Sequence, residues 1–255
     1  MNQSVKKALN LLNLFDEKTY ELSLKEISER ANLPKPTAYR LLTTLESMNF
    51  VYKLKENEHD SRYRLGLKLL ELGKLVSDQL EVRRVAYPYM ETLANEIQEA
   101  VHLVVINHNE AIYIEKVESS KAIRLYTRIG KSSPLYVGSG PKLLLANLPK
   151  EKQEVILNQA ETKGRINRIK FEDELQRIRL EGYSYSISEQ DENTTGISYP
   201  IYDYHNRVIA ALTISGLSTY FEGDNLKTIK AKSKETAAVI SRKLGFRGFI
   251  QGVVD

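Results

Sequence analysis

The hydrophobic positions of the first 50 residues recur with the spacing of short amphipathic helices. A first helix is predicted from Ser4, which we expect to cap it, to Leu12. A second helix opens at Ser23, because Glu26 three residues later completes the pattern of a capping box. A tight turn follows, and a third helix is predicted to begin near residues 34–36, where prolines are tolerated in the first turn.

After the third helix the pattern changes to that of a hairpin. Residues 50–54 and 61–65 read as two strands, and the polar stretch 55–60 joins them. Apolar residues then alternate at spacings of four and three, which favours a helix with a seam for a partner helix. The residues of this seam are Leu65, Leu69, Leu72 and Val76.

From about residue 81 the sequence predicts a second, larger region of mixed type. A helix runs to about residue 98, and strand patterns then alternate with further helices. The predicted strands are 101–106, 111–117, 123–128, 135–137, 183–187, 197–202 and 208–215. The predicted helices lie at 142–147, from 149 onward, through 171–178 up to Gly182, and at 226–244. The whole chain therefore reads as α+β.

The amino-acid composition excludes several classes of protein and of functional site. The 255 residues contain no cysteine, which excludes disulfides, thiolate metal sites and cysteine nucleophiles. No apolar run is long enough to span a bilayer, and the amphipathic start lacks the cleavage site of a signal peptide, so we expect a cytoplasmic protein without a membrane partner. The first 80 residues hold 13 Lys and Arg against 11 Asp and Glu, so any DNA-binding surface must come from local placement of charge.

The third helix supplies such a placement. Its apolar residues fall on one side of a helical wheel, and the other side, which includes Arg40, Thr43 and Thr44, carries no acid. Any amphipathic helix can show a solvated polar face, but the order of helix, short capped helix, turn, acid-free helix and basic hairpin is that of a winged helix-turn-helix. The residues expected to contact DNA are Lys35, Pro36, Thr37, Tyr39, Arg40, Thr43, Thr44 and Arg62.

Three motifs resemble those of IclR-type transcription regulators. They are LPKPTAYRLLTTLESMNFV at 33–51, YRLGLKLLELG at 63–73, and the pair LQRIRLEGYSYSISEQDENTTGISYPIYD at 175–203 with VIAALTISG at 208–216. The resemblance implies a winged helix-turn-helix at 1–65, a linker helix at 66–80 and a GAF-like mixed α/β effector domain at 81–250. It also implies a repressor without a cofactor, which binds a pseudo-palindromic double-stranded operator as a homodimer or a dimer of dimers.

The same resemblance implies that the C-terminal domain binds a small metabolite, often a carboxylic acid. Three places offer suitable groups, namely the glycine-rich turn at 138–142, the segment 194–196 before a strand, and two hydroxyls on one strand face. The expected effector-binding residues are Leu125, Ser139, Gly140, Gly196, Thr213 and Ser215. The chain departs from the family pattern at Pro141, Gly196 and Ser186, so the ligand's identity does not carry over.

Two other classes compete with this interpretation. An enzyme is disfavoured because the four histidines show no metal-ligand spacing, no GxSxG or GxGxxG motif occurs, and the acids at 189, 191 and 192 read as solvated loop carboxylates. His102 is expected in the core or on the surface. The remaining alternative is a module whose winged helix binds a protein partner, and salt-dependent DNA binding would separate it from a regulator.

Overall fold

The computed structural model describes residues 2–16, 19–55, 61–79, 81–121 and 127–248. The chain divides into two compact units, residues 1–79 and 80–255. Residues 56–60 of the hairpin loop expected at 55–60 lie outside the described residues, and Lys55 belongs to a strand and not to the loop. Most of the strand expected at 123–128 also lies outside the described residues, and Thr127 and Arg128 are not in a strand. No helix of the described part is long and apolar enough to cross a membrane.

The first unit is a helix-turn-helix followed by a hairpin. Its helices are α1 (Gln3–Leu12), α2 (Leu24–Arg30), α3 (Lys35–Ser47) and α4 (Lys68–Gln79). Its strands are β1 (Leu22–Ser23), β2 (Val51–Lys55) and β3 (Ser61–Leu65), paired antiparallel in the order β1-β3-β2. The helices α1, α2 and α3 pack with the strands on one core of buried side chains. These are Leu11, Leu22, Ile27, Ala38, Leu42, Leu45, Val51 and Tyr63.

Three details of the first unit differ from expectation. The cap of α1 is Asn2, whose Oδ1 accepts from the amides of Ser4 and Val5, so Ser4 lies inside the first turn and is not the cap. The strand β1 was not predicted, since two residues leave no periodic signal and are held by pairing with β3. Leu65 ends β3 and does not belong to the helix of the expected seam.

In the described residues of the second unit, a six-stranded antiparallel sheet is covered by helices on both faces. Its helices are α5 (Glu81–Ile97), α6 (Ser139–Ala146), α7 (Lys150–Thr162), α8 (Arg168–Glu181) and α9 (Gly223–Lys243). Its strands are β4 (Ala100–Asn107), β5 (Glu110–Val117), β6 (Ser132–Pro134), β7 (Ser184–Ile187), β8 (Thr194–Tyr202) and β9 (Val208–Leu217). Their order is β6-β5-β4-β9-β8-β7.

The alternation of side chains along the strands divides the second unit into two cores. Val101 and Leu103 of β4 pack toward α5 and α9, whereas Val104 packs toward α6 and α8. The strand expected at 135–137 is wrong, because these residues form the turn after β6. The segment 194–196 lies inside β8 and not in a loop before it.

Candidate functional site

The α2–turn–α3 segment is fixed by local hydrogen bonds. The Ser23 hydroxyl accepts from the amide of Glu26, and a Glu26 carboxylate oxygen accepts from the amide of Ser23, which closes the expected capping box. The Ser28 hydroxyl donates to the carbonyl of Leu33 at 2.6 Å across the turn. Ala38 and Leu42 of α3 are fully buried. These contacts fix which face of α3 points to solvent.

The solvent face of α3 carries most of the residues expected to contact DNA. Thr37 is half-buried and the others on this helix are exposed. The exposed ones are Lys35, Pro36, Tyr39, Arg40, Thr43 and Thr44. The acid of this helix, Glu46, is half-buried and lies at the border with the core face. The exposed face is therefore cationic, as contact with phosphate requires.

The two threonines use their hydroxyl hydrogens within the helix. Thr43 Oγ1 donates to the carbonyl of Tyr39 at 3.0 Å, and Thr44 Oγ1 donates to that of Arg40 at 3.1 Å. A partner therefore meets the side-chain methyl group and the oxygen lone pairs of each threonine. This favours contact with a thymine methyl over donation to a phosphate.

The basic side chains of the hairpin differ in their surroundings. Lys53 Nζ lies 5.7 Å from the ring centroid of Tyr39, so it borders the α3 face. Arg62 pairs in register with Ser23 of β1, and its charge adds to the Ser23 hydrogen bonds that lower the pKa of Glu26. Arg64 is engaged in an ion pair with Glu21. Among these three, Lys53 is therefore the best placed to extend the α3 surface.

A second exposed surface of the first unit is apolar. Leu67 and Leu70 are 79% and 72% exposed, and they border a shallow groove that also includes Met48 and Tyr52. Leu69 of the expected seam is half-buried, Leu72 is exposed, and the side chain of Val76 lies outside the described residues. Because exposed leucines of this kind are costly in water, this surface fits contact with another apolar surface.

In the second unit, the sheet face under α6 is rich in hydroxyl groups. The strand register places Ser198 beside Thr213, and Gly196 beside both Ser186 and Ser215. Together with α6 and the loop after β7, this face encloses a cavity of about 30 Å³. The cavity is lined by Tyr113, Thr127, Gly138, Ser139, Ser186, Glu189, Gln190, Asp191, Thr194, Thr195, Gly196, Thr213 and Ser215.

Four of the six residues expected to bind the effector are brought together here, whereas Gly140 does not line the cavity. Ser139, Gly196, Thr213 and Ser215 line the cavity, while Leu125 lies outside the described residues. Ser198 Oγ, which sequence reasoning missed, lies 2.8 Å from both Ser139 Oγ and Thr213 Oγ1 and joins the helix to the sheet.

Two glycines make this close packing possible. A Cβ at Gly140 would lie 2.5 Å from Thr213 Oγ1, and a Cβ at Gly196 would lie 2.7 Å from Ser139 Oγ. Any other residue at either position would require the neighbouring hydroxyl group, or α6 itself, to shift.

A buried histidine lies beside the cavity. His102 Nε2 is 2.9 Å from Ser215 Oγ, and the imidazole packs edge-on against Tyr113 with ring centroids 5.6 Å apart. Burial, with the positive charges of Lys116 and Lys131, lowers the pKa of His102 to about 3. His102 is therefore neutral at physiological pH. Its Nδ1 atom is buried and has no hydrogen-bond partner among the described residues.

The loop at 188–193 closes the cavity on its outer side. The Gln190 amide lies within hydrogen-bond distance of the Tyr113 hydroxyl, the Ser133 hydroxyl and the Val137 carbonyl. Glu189 accepts from the amide of Gly138 at 2.8 Å and pairs with Lys142 at 2.5 Å. Glu189 is exposed, as expected of a loop carboxylate, but it also provides a counter-charge for Lys142, which is only 2% exposed.

Comparisons with known proteins identify the family of this chain. The model of the IclR helix-turn-helix domain matches residues 4–55, and the model of the bacterial transcriptional regulator IclR C-terminal domain matches residues 74–242. This chain belongs to the IclR family of bacterial transcriptional regulators. It has an N-terminal helix-turn-helix domain and a C-terminal mixed α/β domain, and its relatives are named as regulators and not as enzymes.

Individual relatives cover almost the whole chain. The HTH-type transcriptional regulator KipR of Bacillus subtilis is 38% identical over 96% of this chain and 98% of its own length. The transcriptional repressor IclR of Escherichia coli is 27% identical over 92% of this chain and 89% of its own. The structure of an IclR homolog complexed with 4-hydroxybenzoate from Microbacterium hydrocarbonoxydans has a TM-score of 0.79 and 25% identity, and covers 95% of this chain and 99% of that one.

Proposed function

We propose that this IclR-family regulator is a repressor that binds double-stranded operator DNA through α3 and the following hairpin. The exposed cationic face of α3, with Arg40 at its centre and Lys53 at its border, carries this proposal. Arg40 presents a planar guanidinium that can pair with a guanine edge or with a phosphate. The E. coli relative is named a transcriptional repressor, which supports repression over activation.

We further propose that a small carboxylate bound in the cavity changes operator affinity. The cavity offers hydroxyl groups on the sheet and amides at the start of α6, which suit an anion of limited size. The relative from M. hydrocarbonoxydans is complexed with 4-hydroxybenzoate, which is a carboxylate. The effector-binding residues are then Ser139, Gly140, Gly196, Thr213 and Ser215, with Leu125 added by family resemblance.

The exposed leucines of the first unit support assembly of two copies. We propose a homodimer, or a dimer of dimers, in which Leu67 and Leu70 contact the other copy. Two copies would read the two halves of a pseudo-palindromic operator. We also propose that the chain is divided into a DNA-binding domain at 1–65, a linker helix at 66–80 and an effector domain at 81–250. The protein acts in the cytoplasm in this proposal.

DNA binding is tested by titrating the protein against DNA from the region upstream of the gene that encodes it. The logarithm of the binding constant should fall linearly with the logarithm of salt concentration, with a slope of about −0.9 per phosphate neutralised. The absence of salt-dependent binding to this DNA would favour a protein partner. Repeating the titration with a panel of small carboxylates tests the effector, and a panel without effect on operator affinity would contradict a carboxylate ligand.

A further inference from the structure

The enclosed cavity is too small for a metabolite. Its volume of about 30 Å³ has room for roughly one or two water molecules. Sites that hold organic ligands usually measure about 300–1,000 Å³. Any effector of the proposed cavity must therefore enlarge it by moving part of its wall. Among the described lining residues, the exposed ones, Glu189, Gln190 and Asp191, all belong to the loop at 188–193.

An outer groove lies directly behind this wall. It measures about 320 Å³ and is lined by Lys142, Arg165, Lys170, Glu174 and Glu189 among other residues. Glu189 borders both the groove and the cavity, so the two spaces meet at this residue. If it moved aside, they would join into one space large enough for a small organic acid.

The charges of the groove favour an anion as the group that replaces Glu189. Three cationic side chains line the groove against two carboxylates, those of Glu174 and Glu189. Removing the Glu189 carboxylate raises the net charge of this set from +1 to +2. Lys142 then keeps Glu174 as a partner at 2.5 Å but loses its second carboxylate. An incoming carboxylate would restore the ion pair and accept the hydrogen bond of the Gly138 amide.

We propose that Glu189 is a displaceable gate, and that an anionic effector enters through the outer groove and takes the place of the Glu189 carboxylate on Lys142 and the Gly138 amide. This inference rests on the proposed effector function of the cavity. It adds the route of entry, the group that is displaced, and the requirement for a carboxylate or a similar compact oxyanion. Gln190 leaves with the same loop, which frees the Tyr113 and Ser133 hydroxyls for the remainder of the ligand.

Acetate is the probe for the position of the carboxylate. In the Glu189→Ala variant of the full chain the carboxylate position is vacant, so acetate should raise the melting temperature saturably, while chloride at equal ionic strength should not. The wild-type protein and Glu189→Gln should need a much higher acetate concentration for the same rise, because acetate must first displace the side chain that occupies the position. Glu192→Ala, which removes a neighbouring exposed acid of the same loop, should behave as the wild type. Equal responses of Glu189→Ala and the wild type to acetate would overturn the proposal.

Hydrogen exchange provides a second measurement if Glu189→Ala does not fold. Glu189→Gln keeps the size of the side chain but loses the ion pair with Lys142, so residues 188–193 should exchange about tenfold faster than in the wild type. Unchanged exchange would mean that Glu189 does not hold the loop. Neither measurement uses DNA or a natural effector, so their failure is distinct from a failure of operator binding or of its response to carboxylates.

Discussion

His102 Nε2 lies 2.9 Å from Ser215 Oγ, across the neighbouring strands β4 and β9. The histidine is fully buried and its pKa is lowered to about 3, so the Ser215 hydroxyl faces a neutral imidazole at physiological pH. Because a neutral imidazole can donate or accept, it fixes the orientation of the hydroxyl without adding charge to the cavity wall.

This burial makes stability depend on pH in a defined direction. Between pH 6.5 and about 3 the unfolded chain binds a proton at this histidine and the folded chain does not, so stability is complete above pH 6.5 and falls as pH decreases. The expected loss from this residue is at most about 1.4 kcal/mol per pH unit. Urea denaturation of the wild type and of His102→Gln at several pH values measures it. Parallel pH profiles for the two proteins would contradict a buried neutral histidine.

Substitution of Arg40 should weaken operator binding. Arg40→Ala removes the guanidinium from the centre of the exposed α3 face, with an expected loss of about 1–3 kcal/mol if Arg40 pairs with a base. If it contacts a phosphate, the salt slope should instead fall by about one unit of neutralised charge. Lys227→Ala is the control, since it removes one positive charge from an exposed position on α9. Operator affinity and slope equal to those of this control would remove Arg40 from the interface.

Substituting alanine for two glycines, one just before α4 and one within it, should change the free energy of unfolding in opposite directions. A Cβ at Gly66 would lie 2.1 Å from the carbonyl oxygen of Asn49, which is backbone and cannot move aside as a side chain would. Gly66→Ala should lower the free energy of unfolding of the first unit by about 1–3 kcal/mol or more. Gly73 lies inside α4 with nothing near its added Cβ, so Gly73→Ala should raise it by about 0.5–1 kcal/mol.

Thermal and urea unfolding of both variants, followed by circular dichroism, provide the measurement. Because the chain has two compact units, the transition of the first unit must be identified separately. A neutral Gly66→Ala would show that the segment between β3 and α4 can shift away from Asn49.

The exposed leucines should decide the oligomeric state. Leu70→Glu places a charge in the apolar surface next to Leu67, and it should shift the protein toward the monomer because a buried unpaired charge is costly. Leu180→Glu is the matched control, since Leu180 is 80% exposed on α8 of the other unit. Sedimentation velocity at micromolar concentration distinguishes the states. Monomeric wild-type protein, or a dimer unaffected by Leu70→Glu, would contradict this use of the leucines.

The elements of the fold were largely predictable because their signals are local. The capping box of Ser23 and Glu26 and the left-handed Gly182 at the end of α8 depend on neighbouring residues, and both lie where the sequence places them. The errors occurred where pairing decides the structure. The residues at 135–137 have strand-forming side chains, but the ladder with β5 ends at Pro134.

The cavity was predictable in part. Thr213 and Ser215 alternate on one strand, which places both hydroxyls on one face before any partner strand is known. His102, by contrast, reaches Ser215 only through the pairing of strands 113 residues apart in sequence. Gln190 was likewise missed, because its bonds to Tyr113 and Ser133 depend on how one loop folds over the sheet. Register and loop placement are long-range properties that a local pattern does not encode.

The cavity wall is assembled from segments that lie far apart in the chain, from Tyr113 on β5 through Ser139 on α6 to Ser215 on β9. A ligand that binds all three acts as a non-covalent cross-link between them. It would therefore oppose global unfolding of the second unit and not merely reduce the motion of one loop. A saturated regulator would then resist proteases longer than a ligand-free one, and the lifetime of the protein in the cell would report the supply of its effector.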